Sequence, residues 1–139
     1  MVSRVLVPID ESEMAERALR FALDAHPDAE FVVLHVVGEP SSMMGSAAGL
    51  ALADDWRSAA EEQARDLFDR ARDIAAESGV EIDTEVVAGH PARAVVQMSD
   101  EFDVVVVGSH GGTLADRLLV GNVAEKIVRG SAAPVTVVR

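Results

Sequence analysis

The sequence has no cysteine among its 139 residues. The absence of thiols excludes disulfide bonds, thiolate metal sites and a cysteine nucleophile, and it leaves the redox compartment open. Long hydrophobic runs are also missing, since the longest apolar stretches have the length of a strand and a membrane span requires about 20 residues. The N-terminus lacks the apolar stretch and cleavage site of a signal peptide. We therefore expect a soluble, cytoplasmic protein without a membrane partner.

Basic residues are scarce, with 12 Lys and Arg against 24 Asp and Glu, which gives a formal net charge of −12. A protein that binds nucleic acid needs clustered Lys and Arg, and no basic run occurs in this sequence. The same deficit disfavours docking on an anionic membrane surface. The composition therefore predicts that nucleic acid is not a partner.

Lysine itself is nearly absent, because Lys126 is the only one. A GC-rich genome favours arginine codons, whereas a high-salt cytoplasm favours acidic surfaces that are poor in lysine. At molar salt the Debye length falls to about 3 Å, so most of the self-repulsion of such a charge is screened. Adaptation to a high-salt host is thus one hypothesis for this acidity, beside the codon explanation.

The hydrophobic content of 49% is concentrated in five short runs rich in β-branched residues. At this length a single domain, residues 1–139, buries roughly two thirds of the surface of its unfolded chain. Segments with helical spacing of apolar residues separate the five runs. The predicted strands are residues 4–9, 31–37, 80–87, 103–107 and 134–138, and the predicted helices are residues 12–26, 54–78, 91–100 and 122–130.

This alternation predicts an α/β fold, a single open and doubly wound sheet of five parallel strands with helices on both faces. Ligands of such sheets bind beyond the carboxyl ends of the strands, where the winding direction reverses. Residues 38–53 follow the second strand and are rich in small residues and methionine. They are predicted to form a long irregular loop, either a mobile flap or a solvent loop.

A glycine-rich segment follows the fourth predicted strand and contains Gly108, Gly111 and Gly112. Glycines let backbone N–H groups approach a ligand closely, because no Cβ intervenes. Asn122 and Glu125 have the spacing of a capping box, which predicts a helix whose first N–H groups face the glycine segment. Such an arrangement binds anions, most often phosphate.

Gly108, Gly111 and Gly121 have the spacing G-x2-G-x9-G. Together with VLVPIDES near the start, LHVV in the second strand, AGHPARAVV after the third and APVTVVR at the end, this spacing resembles the universal stress protein family over essentially the full length. The resemblance implies an α/β fold of the adenine nucleotide alpha-hydrolase-like type and frequent dimerisation. It also implies ATP binding, which members with the glycine pattern share.

The resemblance further implies which residues bind the nucleotide. Gly108, Gly111 and Gly121 would line the phosphates, followed by the start of the last helix. The remaining residues would border adenine and ribose, so that the complete set is Pro8, Ile9, Asp10, Val36, Val107, Gly108, His110, Gly111, Gly121, Asn122 and Val123. No protein metal site is expected, and Mg²⁺ would enter with the phosphates.

Three of these assignments have alternatives. Asp10 either contacts a ribose hydroxyl or caps the first helix, since the segment DESE also matches a capping box. His110 either borders the nucleotide or is an ordinary loop histidine. Asn122 stands where the family usually has Ser or Thr, and although its amide can cap the helix and donate to an oxyanion, altered affinity or a different nucleotide stays open.

The leading hypothesis is an ATP-binding regulatory protein of the stress response. It would act as a homodimer through Val135–Val138, an exposed edge strand that a symmetric partner can cover. The alternatives are a slow ATPase and a dimeric stress or chaperone-like module that binds no nucleotide. Phosphoryl transfer needs a base and cations near the γ-phosphate, and His110 and Asp116 are the sole candidates for the base. We therefore assign no catalytic residue and expect weak ATP hydrolysis at most.

Overall fold

The computed structural model describes residues 1–38, 46–110 and 121–139, and of residues 46–57 it describes the helical backbone alone. The strands are all parallel and follow the order β3-β2-β1-β4-β5, which confirms the predicted fold class. The strands are β1 (Arg4–Pro8), β2 (Glu30–Val37), β3 (Ile82–Ala88), β4 (Val104–Gly108) and β5 (Val135–Val138). The helices are α1 (Glu13–Ala25), α2 (Ser46–Glu77), α3 (Pro91–Met98), which a 3-10 turn (Ser99–Glu101) extends, and α4 (Asn122–Gly130).

The sheet separates two hydrophobic cores, because successive residues of a strand point to opposite faces. Val5 and Val7 of β1 pack with residues of α1 and α2 on one face. Leu6 between them packs with residues of α3 and α4 on the other. All three side chains are fully buried, which explains why the central strands read as continuous apolar runs.

Helix α2 begins much earlier than the sequence predicts. The loop predicted for residues 38–53 is wrong from residue 46 onward, where α2 starts, and residues 39–45 lie outside the described residues. Residues 46–53 are mostly Ala and Leu, the residues with the highest helix propensities, and this outweighs their single glycine. Within the described ranges, no helix is both long and apolar enough to cross a bilayer.

The predicted end of α2 is confirmed at Gly79, whose φ of 69° lies in the left-handed region. The amide of Gly79 donates to Ala76 at 3.0 Å, and the amide of Val80 donates to Ala75 at 3.0 Å. These two hydrogen bonds satisfy carbonyls that the end of the helix leaves without partners. The residue that adopts the left-handed conformation at such a helix end, here Gly79, is normally glycine.

Asp103 joins the amino end of β1 to the amino end of β4. Ligands of such folds bind at the opposite, carboxyl ends of the strands. Its Oδ2 accepts the amides of Ser3 at 2.8 Å and Arg4 at 2.9 Å. These two backbone hydrogen bonds, helped by the charge of Arg4, hold the pKa of the Asp103 carboxyl below its ordinary value. The charged form is therefore the form that stabilises the fold.

We expect Asp103→Asn to lower the stability of the protein at neutral pH. Since the folded pKa lies below the unfolded one, the stabilisation is complete above the unfolded pKa of about 4 and is lost as the pH falls through the folded value. The stability difference between wild type and variant should therefore shrink in acid. Urea unfolding at pH 7, 4 and 3 measures it, with Asp83→Asn on the exposed edge of β3 as control. A difference that stays constant between pH 7 and 3 would contradict this account.

Candidate functional site

A crevice opens between β1 and β4 at their carboxyl ends, where the winding direction of the sheet reverses. The pairing of β1 with β2 extends to Pro8 and Leu34. The pairing of β1 with β4 stops earlier, at Leu6 and Val105. The two central strands are therefore no longer paired over the last residues of β1.

Pro8 gives the physical reason for this early stop. Alternate residues of a parallel strand direct their backbone groups to opposite neighbours. On the β4 side, the carbonyl of Arg4 accepts the amide of Asp103 at 2.9 Å. On the β2 side, the amide of Ile9 donates to Leu34 at 2.8 Å. The backbone groups of Pro8, like those of Arg4, face β4. Because proline has no N–H to donate, the hydrogen-bonded pairing of β1 with β4 ends there.

The crevice holds a cleft of about 180 Å³. Eight of the eleven predicted site residues line it, namely Pro8, Ile9, Asp10, Val36, Val107, Gly108, His110 and Val123. Gly121 and Asn122 are not part of its wall, and Gly111 lies outside the described residues. The structure thus brings together residues from the ends of β1, β2 and β4 and from the first turn of α4.

Most of the wall is apolar. Val36, Val107 and Val123 contribute to it, and Ala124 and Ile127 of α4 extend the same surface. Because the polar groups are few, such a wall suits a flat, weakly hydrated ring and leaves its orientation to a small number of polar contacts.

Asp10 is the acidic residue of the cleft, and of its two alternatives the structure excludes capping of α1. The cap is Ser12, whose hydroxyl oxygen accepts the amide of Ala15 at 3.2 Å. The third position of the helix is therefore Ala15 and not an acidic residue, so the DESE segment forms no capping box. Asp10 instead accepts a hydrogen bond from the amide of Ser12 at 2.8 Å. Its carboxylate is exposed and lies at the rim of the cleft.

The start of α4 lies against the segment after β4, as the sequence predicts, but its cap differs. Gly121 occupies the cap position, so Asn122 is the first helical residue, and the predicted capping box of Asn122 and Glu125 is wrong. Glu125 is one position too far along the helix and pairs with Arg129 at 2.8 Å. The amide of Gly121 donates to the carbonyl of Ser109 at 2.5 Å.

The first turn of α4 offers free hydrogen-bond donors. The amides of Asn122, Val123 and Ala124 donate to no acceptor in the described part of the chain, as expected for the first turn of a helix without a side-chain cap. Val123 and Ala124 also line the cleft. The positive end of the helix dipole therefore lies beside the apolar wall, where it favours an anion.

His110 contributes a buried nitrogen without a partner. Its Nδ1 is inaccessible to solvent and makes no hydrogen bond with any described residue. Buried polar atoms nearly always have a partner, so this nitrogen is an unused hydrogen-bonding group at the wall of the cleft. The two alternatives for His110, a contact with the ligand and an ordinary loop position, both stay predictions.

The sequence missed two polar residues of the cleft, Ser12 and His35. The Nδ1 of His35 lies 3.1 Å from the carbonyl of Ile9, which requires the proton to be on Nδ1. Both residues hold the Ile9–Asp10 segment in place. No motif marks this role, because it depends on contacts between β2 and the end of β1, although the position of Ser12 just before α1 is a typical cap signal.

No metal site is formed by the protein alone in the described ranges, since no group of three or more His, Asp or Glu residues is close enough to hold an ion. Any Mg²⁺ in this cleft would need ligand oxygens from a bound molecule, which is the common way in which Mg²⁺ binds.

Comparison with known proteins gives a consistent result over the whole chain. The model of the universal stress protein family matches residues 1–139. Universal stress protein YxiE of Bacillus subtilis is 31% identical over 148 aligned residues, which cover all of both chains. The structure of MJ0577 from Methanocaldococcus jannaschii is similar with a TM-score of 0.81 and 26% identity over 98% of this chain and 94% of that one. A universal stress protein in complex with cAMP has a TM-score of 0.71 and 26% identity, over 99% and 97%.

Gly108 forms the floor of the cleft at a point where no side chain fits. A Cβ on Gly108 would lie 2.5 Å from Cγ of the buried Met14 and 3.2 Å from the Met14 carbonyl oxygen. We expect Gly108→Ala to reduce the free energy of unfolding by about 1–3 kcal/mol, because α1 must move away from β4. Gly38→Ala is the matched control, since a Cβ there meets no atom within 4 Å. Urea unfolding measures both, and equal stabilities would contradict the close approach of α1 to β4.

Proposed function

Because the chain belongs to the universal stress protein family, we propose that it is a regulatory protein of the stress response that binds an adenine nucleotide, ATP with Mg²⁺, in the cleft between β1 and β4. The observation that carries this proposal is the convergence of three complementary features in one cleft. These features are an apolar wall, a single exposed carboxylate and the free amides at the start of α4.

The adenine ring fits the apolar wall formed by Val36, Val107 and Val123. A related protein of the family has been crystallised with cAMP, and one from Archaeoglobus fulgidus, which is similar in fold, with dAMP. Both ligands contain adenine, a sugar and one phosphate. ATP contains the same three groups, and for this reason the two complexes support an adenine nucleotide as the ligand.

Asp10 and α4 set the direction of the nucleotide. The Asp10 carboxylate can accept hydrogen bonds from sugar hydroxyls, and its negative charge repels phosphate. The first turn of α4 attracts phosphate through its amides and its helix dipole. The sugar would therefore lie towards β1 and the phosphates towards Gly121 and Asn122.

We propose that the protein senses or carries the nucleotide and hydrolyses it slowly or not at all. Transfer of a γ-phosphoryl group needs cations that neutralise the developing charge. Among the described residues that line the cleft there is no lysine or arginine. Mg²⁺ that enters with the triphosphate would supply charge neutralisation sufficient for binding.

Thermal unfolding with and without ATP and Mg²⁺ tests the proposal. Millimolar ATP should raise the Tm of the wild type, since a ligand at 100 times its Kd stabilises the fold by about 2.7 kcal/mol. Gly121→Val should abolish most of this shift, because a Cβ at Gly121 already lies 3.3 Å from the Ser109 carbonyl oxygen and a larger side chain covers the start of α4. Gly38→Val is the control and should keep the full shift.

The two ways in which this experiment can contradict the proposal are distinct. A wild type that shows no shift at millimolar ATP overturns nucleotide binding. Equal shifts in the wild type and Gly121→Val overturn the placement of the phosphates at α4. Mass spectrometry of small molecules released by denaturing the purified protein identifies a nucleotide that is retained from the cell.

We also propose that the protein acts as a homodimer that pairs through β5. Of the two edge strands, β3 exposes Asp83 and Glu85, whereas β5 has no charged residue and is only half buried. Exposed charges oppose pairing between edges, so β5 is the edge suited to a second copy.

The backbone of β5 allows a precise test of this pairing. The carbonyls of Pro134 and Val138 accept amides from the β4 side, so the intervening Thr136 also faces β4 and the amide of Val137 faces the open edge. Val137→Pro should therefore give a folded monomer, while Thr136→Pro should lower the Tm through loss of a ladder bond. Light scattering should give twice the chain mass for the wild type. A monomeric wild type, or a dimeric Val137→Pro, would refute pairing through β5.

A further inference from the structure

Asp10 lies in a wall between two spaces. On one side is the cleft between β1 and β4, and on the other is a smaller cavity of about 40 Å³ between α1 and α2. Its Oδ1 accepts two hydrogen bonds from Ser12, one from the amide at 2.8 Å and one from the hydroxyl. No described residue donates to its Oδ2. The two oxygens of this carboxylate are therefore not equivalent.

The hydroxyl of Ser12 both donates and accepts a hydrogen bond. A hydroxyl has one proton, and this one is donated to Asp10. The same oxygen accepts the amide of Ala15 at 3.2 Å and so caps α1. Ser12 thereby connects the orientation of Asp10 to the first turn of a helix that is packed into the core.

Among the described side chains, no cation pairs with Asp10. Arg70 lines the smaller cavity, but its Nε donates to Glu16 at 2.9 Å and its terminal nitrogen to the other Glu16 oxygen at 3.4 Å. This pairing raises the pKa of Arg70 and uses its planar fork. Asp10 is therefore oriented by Ser12 rather than by an ion pair with Arg70.

We propose that Ser12 is a positioning residue that fixes Asp10 so that a single carboxylate oxygen, Oδ2, faces the cleft and accepts the sugar hydroxyls of the ligand. The inference rests on the proposed nucleotide binding and adds a residue that determines selectivity for hydroxyl-bearing sugars. It separates two roles of Ser12, since the cap stabilises α1 and the donated proton orients Asp10.

Three substitutions separate these two roles. Ser12→Thr keeps the cap and the donated proton. Ser12→Asp keeps a good cap but has no proton for Asp10 and repels it. Ser12→Ala loses both, and the loss of a cap costs about 1 kcal/mol of stability.

The readout is the ratio of the affinities for ATP and 2′,3′-dideoxy-ATP, measured by calorimetry with Mg²⁺. A change of charge or of helix stability alters both affinities, whereas a change in the orientation of Asp10 alters only the affinity that depends on the hydroxyls. The wild type should prefer ATP by about tenfold or more, as expected for a hydrogen bond to a charged group. The ratio should persist in Ser12→Thr and fall at least about threefold in Ser12→Ala and Ser12→Asp.

A second measurement needs no ligand. Three-bond couplings to the β protons of Asp10 should indicate one χ1 rotamer in the wild type and Ser12→Thr, and rotamer averaging in the other two variants. A wild type that binds ATP and 2′,3′-dideoxy-ATP equally, or an unchanged ratio in Ser12→Ala and Ser12→Asp, overturns the inference while nucleotide binding stands. A wild type that binds neither nucleotide overturns the proposed function, and averaging in the wild type overturns the positioning role by itself.

Discussion

The missing N–H of Pro8 is the constraint on which the candidate site depends. A parallel sheet brings the carboxyl ends of its strands to one edge, but strands that stay paired to their ends leave no space between them. Pro8 ends the pairing of β1 with β4 at Leu6 while the pairing with β2 continues. The crevice therefore opens on the β4 side alone. This is also where the connections leave the sheet on opposite faces, so neither α1 nor α4 covers it.

The acidity of the protein and an anionic ligand are compatible because they act over different distances. A net charge of −12 opposes long polyanions, whose binding depends on many separate cationic contacts. One nucleotide needs only a few donors within a single turn of backbone. The amides of Asn122, Val123 and Ala124, which have no acceptor in the described part of the chain, are donors of this kind and add no net charge. The net charge therefore opposes long polyanions without opposing a single nucleotide that backbone donors would hold.

The sequence predicted what depends on pattern and missed what depends on three-dimensional contact. The fold class and the eight clustered site residues follow from apolar runs and family motifs, whereas the order of the strands in the sheet was not predicted. The start of α2 was wrong because the small residues 46–53 suit a flexible loop as well as a helix. The caps of α1 and α4 are Ser12 and Gly121, and each differs from the capping residue that the sequence suggested. Neighbouring residues have similar capping propensities, and only the backbone geometry decides between them. The contact of His35 with the carbonyl of Ile9 joins β2 to the end of β1, and no local pattern in the sequence predicts it.

The proposed dimer strand β5 and the proposed phosphate position at the start of α4 are both hydrogen-bonded to one buried residue, Ser109. Ser109 donates its amide to the carbonyl of Val138 at 2.7 Å and accepts the amide of Gly121 at 2.5 Å. A single peptide segment therefore connects the end of the edge strand β5 to the start of α4. Since buried backbone hydrogen bonds are costly to break, a shift of β5 relative to β4 must either move Gly121 or leave Ser109 without a partner. If β5 forms the proposed dimer contact and the start of α4 binds phosphate as proposed, backbone hydrogen bonds connect the two regions directly, outside the hydrophobic cores.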